Sequence, residues 1–350
     1  MAQTFFYIIV GIIVFNYVFD LWLEYINVRG KKQELPKELE GIYNQEQYAK
    51  QINYERVNYK FDTLTSTFSF FVILIMLFFG GFAYVDSIVQ NITQNVILQG
   101  LLFFGILMFA SDILNIPFEI WDTFVIEEKF GFNKTTPKTF ILDKIKGWLI
   151  AAIIGGGLLA AIIWLITYFG NMFWLYAWIL LSVFMIFMTM FYSNLIVPLF
   201  NKQTPLEDGE LKNAINDFSL KAGFTLDKIF KIDGSKRSTK ANAYFSGLGA
   251  KKRIVLFDTL INDLTKNEIV AVLAHEIGHY KKKHTLSMII ISLIQTGILL
   301  FILGLFIKEE SLSQAIGAQN HSIHMALFAF SILYTPLTFI IGIFMNIWSR

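Results

Sequence analysis

A His-Glu-x-x-His motif at residues 275–279 is the feature of this sequence that points most directly to chemistry. His275 and His279 are four residues apart, so on a helix they share one face and both imidazoles can reach a single metal ion. Glu276 projects close to the same ion, where its carboxylate can deprotonate an attacking water. The motif predicts a zinc peptidase in which His275 and His279 bind Zn²⁺ and Glu276 is the catalytic base.

The residues around the motif predict the helix that positions it. Thr265 followed by Glu268 forms a capping box, so we expect a helix that starts at Thr265 and carries the motif in its third turn. Residues 270–274 carry no charge, as expected for a helix packed against a core. The same helix is expected to continue through His284 into a membrane span. The alternative is a surface helix with two solvated histidines.

The composition indicates a membrane protein that spans the bilayer several times. Of its 350 residues, 55% are hydrophobic, and the mean hydropathy of +0.54 is too high for a soluble protein of this length. The chain has no cysteine, which excludes disulfides, a thiol nucleophile and Cys-ligated zinc. A net charge of +2 gives no reason to expect nucleic acid as a partner. The expected partners are the lipid bilayer and a peptide or protein substrate.

Seven apolar segments are long enough to cross a bilayer. The first lacks a basic leader and a small-residue cleavage site, so it is expected to be an uncleaved anchor. The predicted spans are Phe5–Ile26, Ser69–Val85, Val96–Phe118, Trp148–Phe169, Phe173–Phe200, Leu286–Ile307 and Met325–Trp348.

The basic residues predict how these spans are oriented. Of the 29 Lys and Arg residues, 28 lie on one side of the predicted topology, and only Lys308 lies on the other. The positive-inside rule therefore places the N-terminus outside, or in a lumen, and the zinc motif on the cytoplasmic side. The membrane is expected to be a bacterial inner membrane or the endoplasmic reticulum.

The predicted fold is an all-α integral membrane protein with a small cytoplasmic α+β subdomain between spans five and six. Residues 1–200 would hold spans one to five, residues 201–285 the subdomain, and residues 286–350 spans six and seven. The predicted subdomain elements are a helix over Leu206–Ala222 and strands over Lys228–Ile232, Ala241–Ser246 and Arg253–Phe257. The last two strands flank Gly247–Lys251, whose glycines suit a hairpin turn.

A peptidase must hold its substrate extended, and an exposed edge strand does this through main-chain hydrogen bonds. Asn242, Ala243, Tyr244 and Phe245 lie in the predicted hairpin just before the zinc helix. We therefore predict that these four residues bind the peptide. The alternative is a hairpin with a structural role only.

Several segments resemble those of the type I CAAX prenyl endopeptidases, which are seven-span zinc peptidases of membranes. The resembling segments are 123–133, Pro198–Asn201, Thr204–Leu206, Asn242–Gly247, Arg253–Leu260 and His275–His279. The resemblance implies a zincin-like subdomain and helices that enclose a water-filled chamber. It also implies zinc ligation by His275 and His279, base catalysis by Glu276, and a peptide groove at 242–245. Members remove the last three residues of prenylated CAAX proteins, and some process other peptides.

In this family a third zinc ligand, a Glu, follows the seventh span shortly after a Ser-Arg pair. The sequence ends at Ser349 and Arg350, so the third ligand is expected beyond Arg350, and the chain as written is expected to bind zinc weakly. Glu127 and Glu128 are the alternatives within the chain. His284 is off the face of the motif, and the predicted topology excludes His321 and His324. Tyr244 and His284 are candidate oxyanion donors.

Three functions remain open from the sequence. The first is a zinc endopeptidase that cleaves CAAX-type proteins near the C-terminus, whether or not they are prenylated. The second is a general quality-control peptidase for membrane proteins, without a prenyl preference. The third is a channel or transporter with an incidental motif, which would require charged residues in several spans and symmetry between halves.

Overall fold

The computed structural model describes residues 1–31, 34–37, 40–41, 44–223, 228–247 and 253–349, without the side chains at 279, 280, 348 and 349. The chain divides into two compact units. Unit 1 comprises Met1–Asp122, Leu158–Asn171 and Ile302–Arg350, and unit 2 comprises Thr123–Gly157 and Met172–Phe301.

Helices dominate the described residues, and four short strands lie between residues 203 and 257. The α-helices are α1 Ala2–Gly30, α2 Gln45–Phe78, α3 Gly81–Ile92, α4 Val96–Trp121, α5 Glu128–Phe130, α6 Pro137–Ile150, α7 Gly156–Phe169, α8 Phe173–Leu195, α9 Val197–Phe200, α10 Glu210–Lys221, α11 Asp258–Asp263, α12 Lys266–Lys281, α13 His284–Phe306, α14 Glu310–Gln314, α15 Ile323–Leu333 and α16 Thr335–Ser349. Asp122–Glu127 and Ala151–Gly155 are π-helical, and Gly170–Met172 and Gly234–Lys236 are 3₁₀ turns. The strands are β1 Gln203–Pro205, β2 Ile229–Ile232, β3 Ala243–Ser246 and β4 Arg253–Phe257.

Several of the helical stretches are long and apolar enough to cross a bilayer. Among the described residues they are Ala2–Gly30, Gln45–Phe78, Val96–Phe130, Pro137–Phe200 and His284–Phe306. A sixth candidate is the pair Ile323–Leu333 and Thr335–Ile347, whose axes meet at 44°. The prediction of several apolar membrane spans is therefore confirmed, and five or six candidates are found by this criterion rather than seven.

The predicted second span, Ser69–Val85, is displaced from the helix in the structure. The spanning helix α2 starts at Gln45 and ends at Phe78. The backbone then turns at Gly80, whose φ of 69° lies in the left-handed region that glycine adopts without strain. The residues of Ser69–Val85 therefore fall on two helices, α2 and α3.

A four-stranded sheet within unit 2 supports the candidate site. Its strand order is β1-β2-β4-β3, with β2 parallel to β4 and the other two neighbouring pairs antiparallel. β3 is thus an edge strand among the described residues. The predicted pairing of the last two strands is confirmed, and residues 248–251 of the predicted turn lie outside the described residues.

One face of this sheet packs against helices α10, α11 and α12 through a single apolar core. The predicted helix over Leu206–Ala222 is shorter in the structure, because α10 begins at Glu210 after an extended Gly209. The buried members of the core are Leu206, Ile215, Ile229, Ile254, Leu256, Leu260, Ile269 and Leu273. Because Ile269 and Leu273 belong to α12, the core fixes this helix against the sheet.

Candidate metal centre and peptide groove

The start of α12 is fixed by the predicted capping box. The main-chain N–H of Thr265 donates to Oε2 of Glu268 at 2.7 Å, and the N–H of Glu268 points back at Oγ1 of Thr265 at 3.4 Å. Hydrogen bonds from the Thr265 side chain and main chain lower the pKa of the Glu268 carboxyl below its usual value. The helix then begins at Lys266, one residue after the predicted start.

The buried face of α12 determines which way the motif points. Ile269, Leu273 and Ile277 follow one another at intervals of four residues and are all buried. His275, two residues after Leu273, lies on another face of the helix and is exposed, and Glu276 is half-buried. The motif therefore lies on the outside of the core and is not part of it.

The residues at the motif fit a zinc ion. The backbone is helical throughout 275–279, so positions 275 and 279 lie one turn apart on the same face. Imidazole nitrogens are donors that zinc takes in catalytic sites without cysteine, together with a further protein ligand. The side chain of His279 lies outside the described residues. Among the side chains that are described, no group of three or more His, Asp or Glu residues could hold a metal.

The helix does not continue into the membrane span as predicted. Lys283 has a φ of 55°, which places it in the left-handed region and breaks the i to i−4 hydrogen-bond pattern between α12 and α13. His284 is the first residue of α13 and is not part of the helix that carries the motif. The prediction that His284 shares that helix is therefore wrong.

The edge strand β3 leaves part of its main chain available for pairing. The N–H of Phe257 donates to the carbonyl of Asn242 at 3.0 Å, so these two residues form a hydrogen-bonded pair. Because such pairs alternate along an antiparallel ladder, the main-chain groups of Ala243 and Phe245 point to the open edge. The side chain of Asn242 accepts the Ala243 N–H at 2.8 Å. The Ala243 carbonyl therefore faces the open edge of the sheet.

Tyr244 directs its side chain away from the zinc helix. Ala243 and Phe245 pack against the core that contains α12, so Tyr244, between them, points to the opposite face of the sheet. Its hydroxyl lies 3.4 Å from Oγ of Ser193 and 3.5 Å from Nε2 of Gln203. Burial raises the pKa of this hydroxyl above its usual value. The main-chain groups of Tyr244 face β4, and the structure gives no support to its hydroxyl as an oxyanion donor.

The two glutamates considered as alternative zinc ligands have other partners. Glu127 forms an ion pair with Lys240 at 2.9 Å. Glu128 accepts a hydrogen bond from Nδ2 of Asn133 at 3.0 Å. Both carboxylates serve local structure around the end of the π-helix Asp122–Glu127.

The two histidines near the seventh predicted span belong to unit 1 and have structural contacts there. Nε2 of His321 lies 2.9 Å from the carbonyl of Ile307. His324 is buried, and its Nε2 lies 2.6 Å from a carboxylate oxygen of Asp86, which is also buried. This contact joins α3 to α15.

One polar cluster in unit 2 was not predicted from the sequence. Arg237 makes hydrogen bonds with Asp143, Asn201 and the carbonyl of Phe200, a few residues before β3. Asp143 and Arg237 are 94 residues apart, so no local pattern links them.

Two protein-family models match this chain, one over its N-terminal part and one over its C-terminal part. Residues 24–202 match the family model described as CAAX prenyl protease N-terminal, five membrane helices. Residues 205–350 match the model of peptidase family M48. The transporter alternative has no support in either match.

Individual relatives and a solved structure match this chain over most of its length. The CAAX prenyl protease 1 homolog of Dictyostelium discoideum is 35% identical over 340 residues, which are 93% of this chain and 80% of that protein. CAAX prenyl protease 1 of Saccharomyces cerevisiae is 36% identical over 322 residues, covering 89% and 71%. The crystal structure of S. mikatae Ste24p superposes with a TM-score of 0.92 at 34% identity, covering 99% of this chain and 85% of that one. With this similarity along its length, the chain belongs to the CAAX prenyl protease family of M48 peptidases, which are multi-pass membrane metalloproteases.

Proposed function

We propose that this protein is an integral-membrane zinc metalloendopeptidase that cleaves CAAX-type proteins near their C-terminus, whether or not they are prenylated. The observation that carries the proposal is the packing of α12 and β3 on one core, which brings the His-Glu-x-x-His helix beside an open sheet edge. The relatives named as CAAX prenyl proteases support the substrate class.

The chain's own residues would have the following roles in catalysis. His275 and His279 hold the Zn²⁺, which when bound supplies Lewis-acid chemistry that polarises the scissile carbonyl. Glu276, half-buried one residue after His275, takes a proton from the attacking water and returns it to the leaving amine. A third zinc ligand, the Glu that the resemblance implies, stays a prediction.

The substrate would add to the sheet as a further strand. An extended peptide can pair with the Ala243 carbonyl, which points to the open edge. Asn242 would limit this pairing, because its side chain already accepts the Ala243 N–H. This arrangement holds the peptide by its backbone and leaves sequence preference to side-chain pockets.

We also propose the seven-span topology, with the N-terminus outside or lumenal, the motif cytoplasmic and a chamber between the helices. The stretch Pro137–Phe200 has 64 residues, about three times the length that a single span needs. It turns at Gly170, which has a φ of 54°, and Asn171 accepts a hydrogen bond from Lys308 at 2.7 Å. Lys308 follows the sixth predicted span on the outer side, so this contact supports a turn at 170–172 on the same side. The domain division at 200 and 285 stays a prediction.

Replacing Glu276 with Gln tests the proposal. We expect kcat to fall by about 100-fold or more, because general base catalysis contributes that much. Zinc content should stay at the wild-type level, whereas His275→Ala should lower it. Glu210→Gln is the matched control, because Glu210 is exposed and pairs only at the surface with Lys266. Unchanged cleavage by Glu276→Gln would reject the peptidase mechanism.

The substrate class is tested with two forms of one CAAX peptide, farnesylated and unmodified. A dedicated prenyl protease should give a higher kcat/KM for the farnesylated form. Equal values would favour the quality-control alternative, in which the lipid plays no part.

A further inference from the structure

The segment that leads into β3 lies outside the hydrophobic core. From Ser235 to Asn242 no residue is buried, although the strands on both sides of it are anchored in the core. We call residues 235–242 the lead-in segment. Hydrophobic burial does not determine where this segment runs, so its polar contacts must place the start of the edge strand.

Arg237 is the main polar anchor of the lead-in segment. Its Nε and Nη2 donate to the two carboxylate oxygens of Asp143 at 2.7 and 2.9 Å, which is the bidentate geometry of a strong ion pair. Nη1 donates to Oδ1 of Asn201 at 2.9 Å, and Nη2 also donates to the carbonyl of Phe200 at 3.0 Å. The side chains of Arg237 and Asp143 are each about a quarter exposed, so water screens the pair only partly.

Main-chain hydrogen bonds reinforce this anchor on the same side. The N–H of Lys134 donates to the carbonyl of Arg237, and the N–H of Thr239 donates to the carbonyl of Phe132, both at 3.0 Å. The lead-in segment is therefore attached to the residues between the π-helix and α6, as well as to α6 itself through Asp143.

The start of α11 holds the opposite side of the segment. The N–H of Ser235 donates to Oδ1 of Asp258 at 2.8 Å. Oγ1 of Thr259 donates to the carbonyl of Lys240 at 3.1 Å. With contacts on both sides, the segment reaches β3 along one defined path.

We propose that Arg237 is a positioning residue for substrate: it holds the beginning of β3 so that an extended peptide can pair with the open edge at Ala243. The proposal rests on the function proposed above, in which β3 binds the peptide. The side-chain hydrogen bonds of Arg237 go to Asp143, Asn201 and Phe200, so we expect its effect to be on peptide binding and not on the proton transfer by Glu276.

This role predicts a particular kinetic signature. A backbone groove binds the ground state and the transition state alike, and loss of such uniform binding raises KM while kcat is unchanged. Arg237→Gln should therefore raise KM for a farnesylated CAAX peptide about ten-fold, with kcat within about two-fold of the wild type. The KM of Arg237→Lys should lie between that of the wild type and that of Arg237→Gln, because lysine keeps the charge but cannot form the bidentate ion pair with Asp143.

The experiment uses the full-length protein in proteoliposomes, with zinc content measured for each variant. Lys236→Gln is the matched control, because Lys236 is the exposed neighbour of Arg237, and its KM should equal that of the wild type. Peptide affinity is also measured in a Glu276→Gln background, where Arg237→Gln should weaken binding about ten-fold without any turnover. Asp143→Asn, which removes the partner's charge, replaces Arg237→Gln if that variant does not fold.

The outcomes separate this inference from the proposed function. If Glu276→Gln keeps full activity, the peptidase mechanism fails whatever Arg237 does. If Glu276→Gln is inactive but the Arg237 variants keep the wild-type KM and peptide affinity, the positioning role is wrong. A parallel loss of kcat and zinc content in the Arg237 variants would also overturn it, because that result indicates a general structural role.

Discussion

At the scale of single residues, Asp258 connects the lead-in segment to the start of α11. Its carboxylate accepts the N–H of Thr259 at 2.9 Å and the N–H of Ser235 at 2.8 Å, and it also accepts the Ser235 hydroxyl. Burial alone would raise the pKa of this carboxyl, but the hydrogen bonds from Ser235 and Thr259 outweigh it and lower the pKa below its usual value. The charged form of Asp258 is thus the form that the fold stabilises.

This shift predicts how the stability of the protein depends on pH. Because the pKa of Asp258 is lower in the folded state, its contribution is complete above the ordinary value of 3.8 and is lost as the pH falls through the lowered folded value. At pH 7 we expect Asp258→Asn to unfold at a lower temperature than the wild type. The difference should shrink at pH 3 and below, as measured by thermal unfolding in detergent.

Asp263→Asn is the control for this experiment, since Asp263 is exposed at the end of the same helix. A difference between the wild type and Asp258→Asn that does not change with pH would show that the shape of the side chain matters and its charge does not.

Residues whose roles depend on neighbours in sequence could be predicted. The Thr265–Glu268 capping box is a local pattern, and the structure confirms it. The link between Arg237 and Asp143 could not be predicted, because an ion pair between distant residues leaves no signal at either position. The orientation of Tyr244 was also missed, because it depends on which face of the sheet α12 covers.

At the scale of elements, the open edge of β3 predicts a periodic response to changes in the substrate backbone. An added strand pairs with its neighbour through every second residue, because main-chain groups alternate between the two sides. Peptides that are N-methylated at one amide at a time should therefore lose affinity at alternate positions only. The measurement is the inhibition constant of each methylated peptide against one fluorescent substrate.

A loss at every position, or at none, would contradict pairing with β3. Peptides that carry the same methyl group on a side chain instead of the amide nitrogen are the control for bulk. They should bind as well as the unmodified peptide wherever the side chain is exposed.

The boundaries of an element were predicted well where the sequence switches between polar and apolar residues at the ends of that element. The predicted strand Arg253–Phe257 agrees with β4, whose apolar run ends where α11 begins. The second span was placed wrongly, because hydropathy detects the apolar half of a helix only. The polar residues from Gln45 onward continue the same helix α2, and the break at Gly80 lies inside an apolar run that gave no sign of it.

At the scale of the whole molecule, the absence of cysteine makes the topology directly testable. Single cysteines introduced into the intact protein can be labelled with a thiol reagent that does not cross membranes. We expect Asn320→Cys and Asn171→Cys to be labelled from outside the cell or vesicle, and Asp208→Cys only after the membrane is opened. All three positions are exposed.

Asn171 decides between the topologies. If Pro137–Phe200 crossed the bilayer once, residue 171 would be buried in lipid and protected from both sides. Labelling from the cytoplasmic side would reverse the predicted orientation, and the cysteine-free parent protein is the control for background.

The membrane class follows from the hydropathy of the sequence, and the predicted sidedness rests on the distribution of Lys and Arg. The number of spans was harder to derive. A 64-residue helical stretch can contain one turn or none, and the difference depends on a single left-handed glycine at position 170. The predicted chamber between the helices would leave still less trace in the sequence, since lipid-facing and water-facing apolar surfaces have similar compositions.

The left-handed backbone at Lys283 has a mechanical consequence. A non-glycine residue in this conformation costs on the order of 1 kcal/mol, so the surrounding structure must hold it there. Spanning helices tilt when bilayer thickness changes, and a continuous helix would carry that tilt into its extension. The helix is interrupted between α12 and α13. A change in the tilt of α13 that follows thinning or thickening of the bilayer is therefore not transmitted directly to α12. We therefore expect the helix face that carries His275 to keep its orientation when the thickness of the membrane changes.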